Sequence, residues 1–431
     1  MNRTRPHSVW TPPNDTVLPN GIRVICDPVS HVDSASIGVW IRAGTRDEPR
    51  GLRGVAHFVE HTSFRRTRHR TATRISKDFE NLGAYANAYT TKEETCYYVR
   101  TLSEHIDDVL ETLLDVVLWP VFTESDIEKE RSIITEEIRS YEDELEEHIF
   151  DIGEIQMFPR HALGSPIVGT VEDVQRITSQ HVSDFHARHY HAGSIVVAVS
   201  GRCDPEKILK IVDRLTSHAP KRRALTRRTT PTLREASNIT LTRPTQQAHL
   251  LWQTPTVGCR HDDRHALQVL NVVLGDGMSS RLNVRLRESR GLTYSVYSQV
   301  QLFADCGLMA IYAGVDEQNL AKAEGGVRRV LAEVASGGIT AAEHKRALAQ
   351  LRAGKLMSLE SLTARMTLLG KGVMETGEPE NPTETIESLL SVTRQDVARV
   401  AAQVCEPTQW STCTIRPSSD QPERSEPERI D

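Results

Sequence analysis

Residues 79–118 read FENLGAYANAYTTKEETCYYVRTLSEHIDDVLETLLDVVL, and TESDIEKERSIITEEI follows at 123–138. A glycine turn leads into two alternating, strand-like stretches. A long amphipathic helix comes next, and then a second, charged helix. The same order returns in the second half of the chain. There LRESRGLTYSVYSQVQLFADCGLMAIYAGVDEQNLAKAEGGVRRVLAEV (286–334) is followed by TAAEHKRALAQLRAGK (340–355). Tyr85, Ala86 and Asn87 fall where Tyr294, Ser295 and Val296 fall, each set after a glycine (Gly83, Gly291). Matching strand-then-helix units precede both copies. They are SASIGVWIRAG (34–44) leading to GVAHFVEHTSF (54–64), and QAHLLWQT (247–254) leading to HALQVLNVVLG (265–275). Strands mixed with long helices in this order predict an α+β fold. It consists of two homologous domains of about 200 residues, each a mostly antiparallel sheet packed with helices, related by duplication.

The stretch between the copies, HAPKRRALTRRTTPTLREAS (218–237), holds six basic residues and two prolines. It reads as a solvated connector between an N-terminal domain at 1–217 and a C-terminal domain at 238–416. The last residues, 417–431, are polar and Pro-rich and are expected to be disordered. The first fifteen, MNRTRPHSVWTPPND, lack the apolar segment of an export signal and read as an extended lead-in to the first strand.

Composition narrows the function classes. In 431 residues, 52 Lys and Arg stand against 58 Asp and Glu, a formal charge of −6. No basic excess speaks for nucleic acid, and no apolar run is long enough to span a membrane. The seven cysteines are scattered without a Cys-x-x-Cys pair, which excludes a disulfide scaffold or a thiolate zinc knuckle and fits a cytoplasmic, reducing compartment.

Within 54–64 lies His57-Phe58-Val59-Glu60-His61. Leu52, Val55, Phe58 and Val59 recur at helical spacing, so a helix is expected here. On it His57 and His61 sit one turn apart and can hold one zinc ion through imidazole nitrogens, with Glu60 on the same side. Zinc pulls the pKa of water toward 7, and a neighbouring carboxylate can take the proton. The order inverts the common His-Glu-x-x-His helix. Two surface histidines on an amphipathic helix would give the same pattern. A third ligand is needed, and the acidic segment TESDIEKERSIITEEIRSYEDELEE (123–147) offers candidates. Glu130 and Glu137 lie two turns apart on a stripe with Ile133 and Ile134, where a cation would offset the cost of burying a carboxylate. Glu136 is rotated about 100° from Glu137 and suits the role less well.

With these residues together, the chain resembles the insulinase/pitrilysin/mitochondrial processing peptidase family of inverted zinc proteases, in its short bacterial two-domain form. The resemblance runs from LPNGIRV (18–24) to the helix near residue 400. The family pattern places a Glu 76 positions after the second His, and 61 + 76 is 137. Its supporting acid, seven residues earlier, falls on Glu130. LGDGMSSRLNVRLRESRGLTYSVYS (274–298) resembles the family's Gly-rich loop followed by Arg and Tyr seven apart, here Arg287 and Tyr294. KLMSLESLTARMTLLGK (355–371) is similar to a family segment as well.

The resemblance implies one Zn2+ per chain on His57, His61 and Glu137, with Glu60 as catalytic base and Glu130 as the supporting catalytic acid. Arg287 and Tyr294 would grip the substrate carbonyl region. Peptides would bind as an added strand along ANAYT (86–90), with Asn87 touching substrate. The expected activity is that of a zinc endopeptidase acting on oligopeptides or on leader and presequence segments inside a closed clamshell. The expected partner is a second copy of the chain, a homodimer, with a heterodimer of homologous subunits and a non-catalytic assembly subunit as the alternatives. Two features depart from the family. Phe64-Arg65-Arg66-Thr67 stands where Phe-Lys-Gly-Thr is usual, and Asp276 stands where a glycine is common. The basic cluster at 65–70 reads as a solvated charge run, with a basic rim for acidic peptides as the alternative.

Overall fold

A computed structural model of the chain describes residues 10–221, 228–232 and 235–418. The disorder expected over 417–431 is corrected at its start, since Pro417 ends a strand paired with Arg243 and the Ser418 N–H donates to the Arg243 carbonyl; from residue 419 on the expectation lies outside the described residues. The middle of the connector, 222–227 and 233–234, also lies outside them. The first half runs β1 (Asn14–Val17), β2 (Arg23–Pro28), β3 (Ser34–Ile41), α1 (Val55–Ser63), α2 (Ala72–Glu80), β4 (Tyr85–Thr90) and β5 (Thr95–Leu102). It continues through α3 (Ile106–Leu118), α4 (Glu124–Asp143), α5 (Leu145–Met157), α6 (Val171–Arg176), α7 (Ser179–His189), β6 (Ile195–Gly201) and α8 (Pro205–Thr216). The second half runs β7 (Asn238–Arg243), β8 (Ala248–Thr256), α9 (Arg264–Leu274), β9 (Thr293–Leu302), β10 (Gly307–Val315) and α10 (Leu320–Gly337). It closes with α11 (Ala341–Ser358), α12 (Leu362–Thr376), α13 (Pro382–Ser391), α14 (Arg394–Val404) and β11 (Ser411–Pro417).

The duplication is visible in the sheets. The first has the order β1-β2-β6-β3-β5-β4 and the second β7-β11-β8-β10-β9. β2 with β6, and β7 with β11, pair parallel; the remaining neighbours pair antiparallel. Apart from β1, each strand of the first sheet has a counterpart in the second, in the same order and sense. The α+β expectation is met, and among the described residues β4 and β9 are corresponding unpaired edges.

Both faces of each sheet are covered, so the central strands read as nearly continuous apolar runs instead of alternating ones. In β3 the period of two splits the side chains. Ile37, Val39 and Ile41 face the core formed with α1 and α3, while Trp40 packs with Ile25, Val196, Met366, Leu369 and Val373. Those last three belong to α12, a helix of the second half. The second sheet is treated alike. Leu250 and Trp252 face α9, α10 and α14, whereas Leu251 and Tyr312 pack on Ile149 of α5, a helix of the first half. Each half therefore lends one helix to the other's sheet.

Small residues allow this exchange. A Cβ on Gly370 of α12 would meet the Trp40 ring at 2.3 Å, and one on Gly153 of α5 would meet the Gln253 side chain at 2.3 Å. Buried polar groups fasten α12. Arg365 donates to Asp27 at 2.7 and 2.8 Å, and Arg42 donates to the carbonyls of Val373 and Met374 at the helix end.

The solvated-connector expectation is corrected at Arg228. Its guanidinium donates to Asp47 at 2.8 Å and lies 3.2 Å from Glu93. Arg46, with its side chain 1% exposed, joins Glu93 to Asp305 at 2.7 Å each. Glu93 and Asp305 sit at the tips of the corresponding β4–β5 and β9–β10 hairpins, so this network pins the two halves together at equivalent points.

Candidate metal centre

α1 starts at Gly54, whose φ of 85° lies in the left-handed region that a glycine adopts without strain. No N-cap side chain serves the helix. The Glu48 carboxylate accepts the Gly54 and Ala56 N–H groups at 3.0 and 2.9 Å instead, satisfying two of the free donors of the first turn. Val55, Ala56, Phe58 and Val59 are buried, which turns Glu60 and His61 toward a cleft beside α4, while His57 is 7% exposed.

The cleft brings together three of the residues marked in the sequence. His57 Nε2 lies 3.8 Å from Glu137 Oε1, and His61 Nε2 lies 3.6 Å from Glu137 Oε2. One ligand atom from each of the three lies within 4.8 Å of the others, and among the described residues no other such cluster occurs. These spacings are too long for hydrogen bonds. They approach the separation of about 3.4 Å that donors 2.0–2.1 Å from a tetrahedral zinc ion would have. The donor set, two imidazoles and a carboxylate, is of the kind that leaves a fourth position open.

The surroundings prepare the ligands. Burial, with the His61 ring adding to it, pushes His57 down to about 3, so its ring is neutral and able to ligate. Burial alone would lower His61 as well. The hydrogen bond that the ring donates to Glu130 and the charges of Glu60, Glu130 and Glu137 outweigh it and raise that ring. Glu130 is 3% exposed and fully committed. His61 Nδ1 lies 2.9 Å from its Oε2, and Arg65 Nε donates to its Oε1. It thus acts on His61 and does not face the cleft. Such carboxylate–histidine pairs fix which nitrogen is left for a metal.

Burial raises Glu60, and it raises Glu137 too. The Glu60 Oε2 accepts a hydrogen bond from Thr90 Oγ1 at 2.5 Å. Glu136 pairs with Arg139 on the outer surface of α4. The stripe shared by both isoleucines needs correction. Ile134 is buried beside Glu130, but Ile133 is 46% exposed on the row of Glu137 and Tyr141, at four-residue spacing.

The remaining marked residues lie elsewhere. Asn87 is exposed on edge strand β4, its Oδ1 accepting the Ala88 N–H. Arg287 is exposed on a short helical segment, Asn283–Glu288, before β9. Tyr294, at the start of β9, is 61% exposed and donates to Asp316 at 3.1 Å. Neither hydrogen bonds to the His57–Glu137 cluster among the described residues. The basic cluster is not a solvated run. Arg65 serves Glu130, Arg66 pairs with Asp126, and Arg70 pairs with Asp78, Glu111 and Asp115. Arg68 lies over the Trp119 ring. These acids are supplied by α2, α3 and α4. Glu48 carries no local sequence mark, Thr90 entered only as the end of the edge-strand segment and Arg65 only as part of the basic cluster; their partners reveal what they do.

The second half shows the same architecture without the histidine–glutamate cluster among the described residues. Ser298 of β9 donates to Asn271 Oδ1 of α9 at 2.7 Å, the counterpart of Thr90 and Glu60; the match of Tyr85 with Tyr294 read from the sequence is off by one residue, with β9 bulging at Tyr294, between Thr293 and Ser295 in the β10 ladder. In that register Gln268 and Val272 stand where the histidines stand. The N-caps Thr123 and Thr340 align α4 with α11. This puts Gly354 at the place of Glu137 and Ala347 at that of Glu130. An open cleft of about 1150 Å3 remains there.

Comparisons with known proteins agree with this division. Residues 23–171 match the family model described as Insulinase (Peptidase family M16), and residues 176–351 match the Peptidase M16 inactive domain. An uncharacterized zinc protease of Streptomyces coelicolor is 36% identical over 396 residues, 90% of this chain and 86% of that protein. One of Bacillus subtilis is 32% identical over 403 residues, 94% and 98% of the two chains. A crystal structure described as a peptidase M16 inactive domain, from Pseudomonas fluorescens, superposes with a TM-score of 0.88 at 20% identity, covering 96% of this chain and 99% of that one. A protease from Helicobacter pylori does so with a TM-score of 0.84 at 22% identity, covering 94% and 99%. Zinc is the metal named for the sequence relatives, and no helix among the described residues is long and apolar enough to cross a membrane. With a histidine–glutamate cluster in one half, a ligand-free copy in the other and matches across both, the chain belongs to the insulinase family, peptidase family M16, in its short two-domain form.

Proposed function

We propose that the protein is a zinc-dependent endopeptidase that cuts oligopeptides or leader and presequence segments. The observation that carries this reading is the convergence of His57 Nε2, His61 Nε2 and the Glu137 carboxylate next to Glu60. Those three residues would hold the ion. Zinc in such a site supplies a Lewis acid that polarises a carbonyl and brings the pKa of water toward 7. Glu60, with one oxygen tied to Thr90, takes the proton on its other oxygen and passes it to the leaving amine. Glu130 keeps the His61 ring oriented through Nδ1. β4 is an unpaired edge ending at Thr90, and an extended peptide can add to it through backbone hydrogen bonds, with Asn87 alongside. Recognition of that kind reads backbone more than side chains.

His61 and Glu137 remain partly exposed in the single chain, and a second copy of the chain would cover them as a homodimer. Exposure of Arg287 and Tyr294 away from the chain's own cluster favours their serving the partner's cluster, where a guanidinium and a phenol can steady a developing oxyanion. The test is metal analysis with a peptide-library digest. Glu60→Gln should retain zinc and lose at least about a hundredfold in turnover. Tyr294→Phe should lose about ten- to a thousandfold with zinc retained. A mixture of the two variants should regain activity after chain exchange. Near wild-type cleavage by Glu60→Gln would overturn the reading, and a mixture that stays inactive after exchange would overturn the shared site.

A further inference from the structure

Thr90 is buried at the end of β4, and its hydroxyl lies 2.5 Å from Glu60 Oε2. The same side chain belongs to the unpaired edge strand and touches the carboxylate on α1. A hydrogen bond from a neutral donor to a carboxylate at this length is among the stronger ones available to a side chain. Glu60 otherwise has three side-chain torsions, the last of which, setting the carboxyl plane, is intrinsically broad. Without Thr90 nothing among the described contacts holds its carboxyl plane.

A second observation points the same way. In the other half the metal ligands are replaced, yet Ser298 of β9 still donates to Asn271 of α9 at 2.7 Å. A hydroxyl on the edge strand bonded to the side chain at the base position is thus part of the duplicated frame, where it ties edge strand to helix. In the first half the identical tie ends on the group that moves the proton.

We propose that Thr90 is a positioning residue that fixes Glu60 in register with the edge strand. A peptide added to β4 is then placed relative to the base by one hydrogen bond. This rests on Glu60 being the base. The consequence is a separation of effects. Thr90 contributes its side chain to Glu60 and its backbone to the β4–β5 ladder, opposite Thr95. Removal of the hydroxyl alone should leave the strand, and therefore KM, unchanged, and should lower kcat. A loosely held base loses the orientation advantage of a fixed one, on the order of ten- to a hundredfold.

The experiment compares Thr90→Val, Thr90→Ser, Glu60→Gln and the double variant Glu60→Gln/Thr90→Val, each with zinc content, melting temperature, kcat and KM. Thr90→Val should bind zinc as the wild type does, keep KM within about twofold and lose about ten- to a hundredfold in kcat. Thr90→Ser should recover most of that loss. On the Glu60→Gln background Thr90→Val should cost nothing further, because the group it positions is gone. Wild-type kcat in Thr90→Val overturns the proposal. So does a loss that Thr90→Ser shares, or one that persists undiminished on the Glu60→Gln background. If Thr90→Val does not fold, Thr90→Ser and Thr90→Ala decide it by the same pair of comparisons. A Glu60→Gln protein as active as wild type would instead sink the assignment of the base, a result distinct from any of these.

Discussion

Replacement of Glu130 by glutamine tests the metal centre through a residue that does not face the cleft. The wild-type carboxylate is 3% exposed and receives two donors, His61 Nδ1–H at 2.9 Å and Arg65 Nε–H. A glutamine amide has one acceptor oxygen and one nitrogen with two donors. If the oxygen faces His61, the amide nitrogen meets the Arg65 donor, and a buried donor without a partner costs about 1–3 kcal/mol. If the amide is turned, its nitrogen donates to His61 Nδ1, which moves the ring proton to Nε2, the nitrogen that the proposed zinc ion would take. The first arrangement replaces the ring's anionic acceptor by a neutral one, and the second removes the lone pair that a metal would take. Loss of such a supporting carboxylate typically lowers metal affinity about ten- to a hundredfold, or about 1.4–2.7 kcal/mol. The assay is competition for zinc against a chelating dye, at fixed pH, with the melting temperature of the metal-free protein measured beside it. A Glu130→Gln protein with a zinc Kd within about twofold of wild type, and an unchanged melting temperature, would refute the assignment of Glu130 to His61.

Two further predictions concern stability. Arg365→Met should destabilise the protein by about 3–5 kcal/mol in urea unfolding, because it leaves Asp27, 1% exposed, without its ion-pair partner; replacing both residues by apolar ones of similar size should recover most of the loss, and a cost below about 1 kcal/mol would show that this pair does not fasten α12. The Arg281 guanidinium holds the Glu343 carboxyl at about 2, below an unfolded value of about 4.3. Stability from this pair is therefore complete above the unfolded value and is lost as pH falls toward 2; the melting-temperature gap between wild type and Glu343→Gln should hold steady above about pH 5 and close below it, and a gap independent of pH would contradict the pairing.

Much of the first level of structure is written locally. The glycine turns at Gly83 and Gly291, the alternating pairs and the helices after them are short-range patterns, and their repetition discloses the duplication. The histidine motif is local too, since His57, Glu60 and His61 lie on one helix. What escaped was whatever depends on a partner far along the chain. Arg65 to Arg70 look like a solvated charge run because their acids arrive from α2, α3 and α4. Arg228 looks like part of a free connector because Asp47 and Glu93 lie more than a hundred residues before it. Ile133 and Ile134 look equivalent on a charged helix until one packs inside and the other faces the cleft.

The exchanged helices are the clearest case of this limit, and they bear on how the site is supported. Gly370 and Gly372 weaken α12 as an isolated helix. The first has a physical reason only when Trp40 of the other half lies against it. β3, which carries Trp40, leads through residues 42–54 into the Gly54 start of α1, where Glu48 holds the first turn. In the same segment Arg46 and Asp47 meet Asp305 and Arg228 from beyond the boundary. The route into the histidine helix is thus bound on both sides by residues of the second half. The second half carries Gln268, Val272 and Gly354 at the places of His57, His61 and Glu137 and cannot assemble that cluster. It still needs its sheet, because that sheet is covered by α5, the helix directly after α4 and its Glu137. The framework of a half without the cluster is held in place by this mutual covering, since either half alone would expose an apolar sheet face to water.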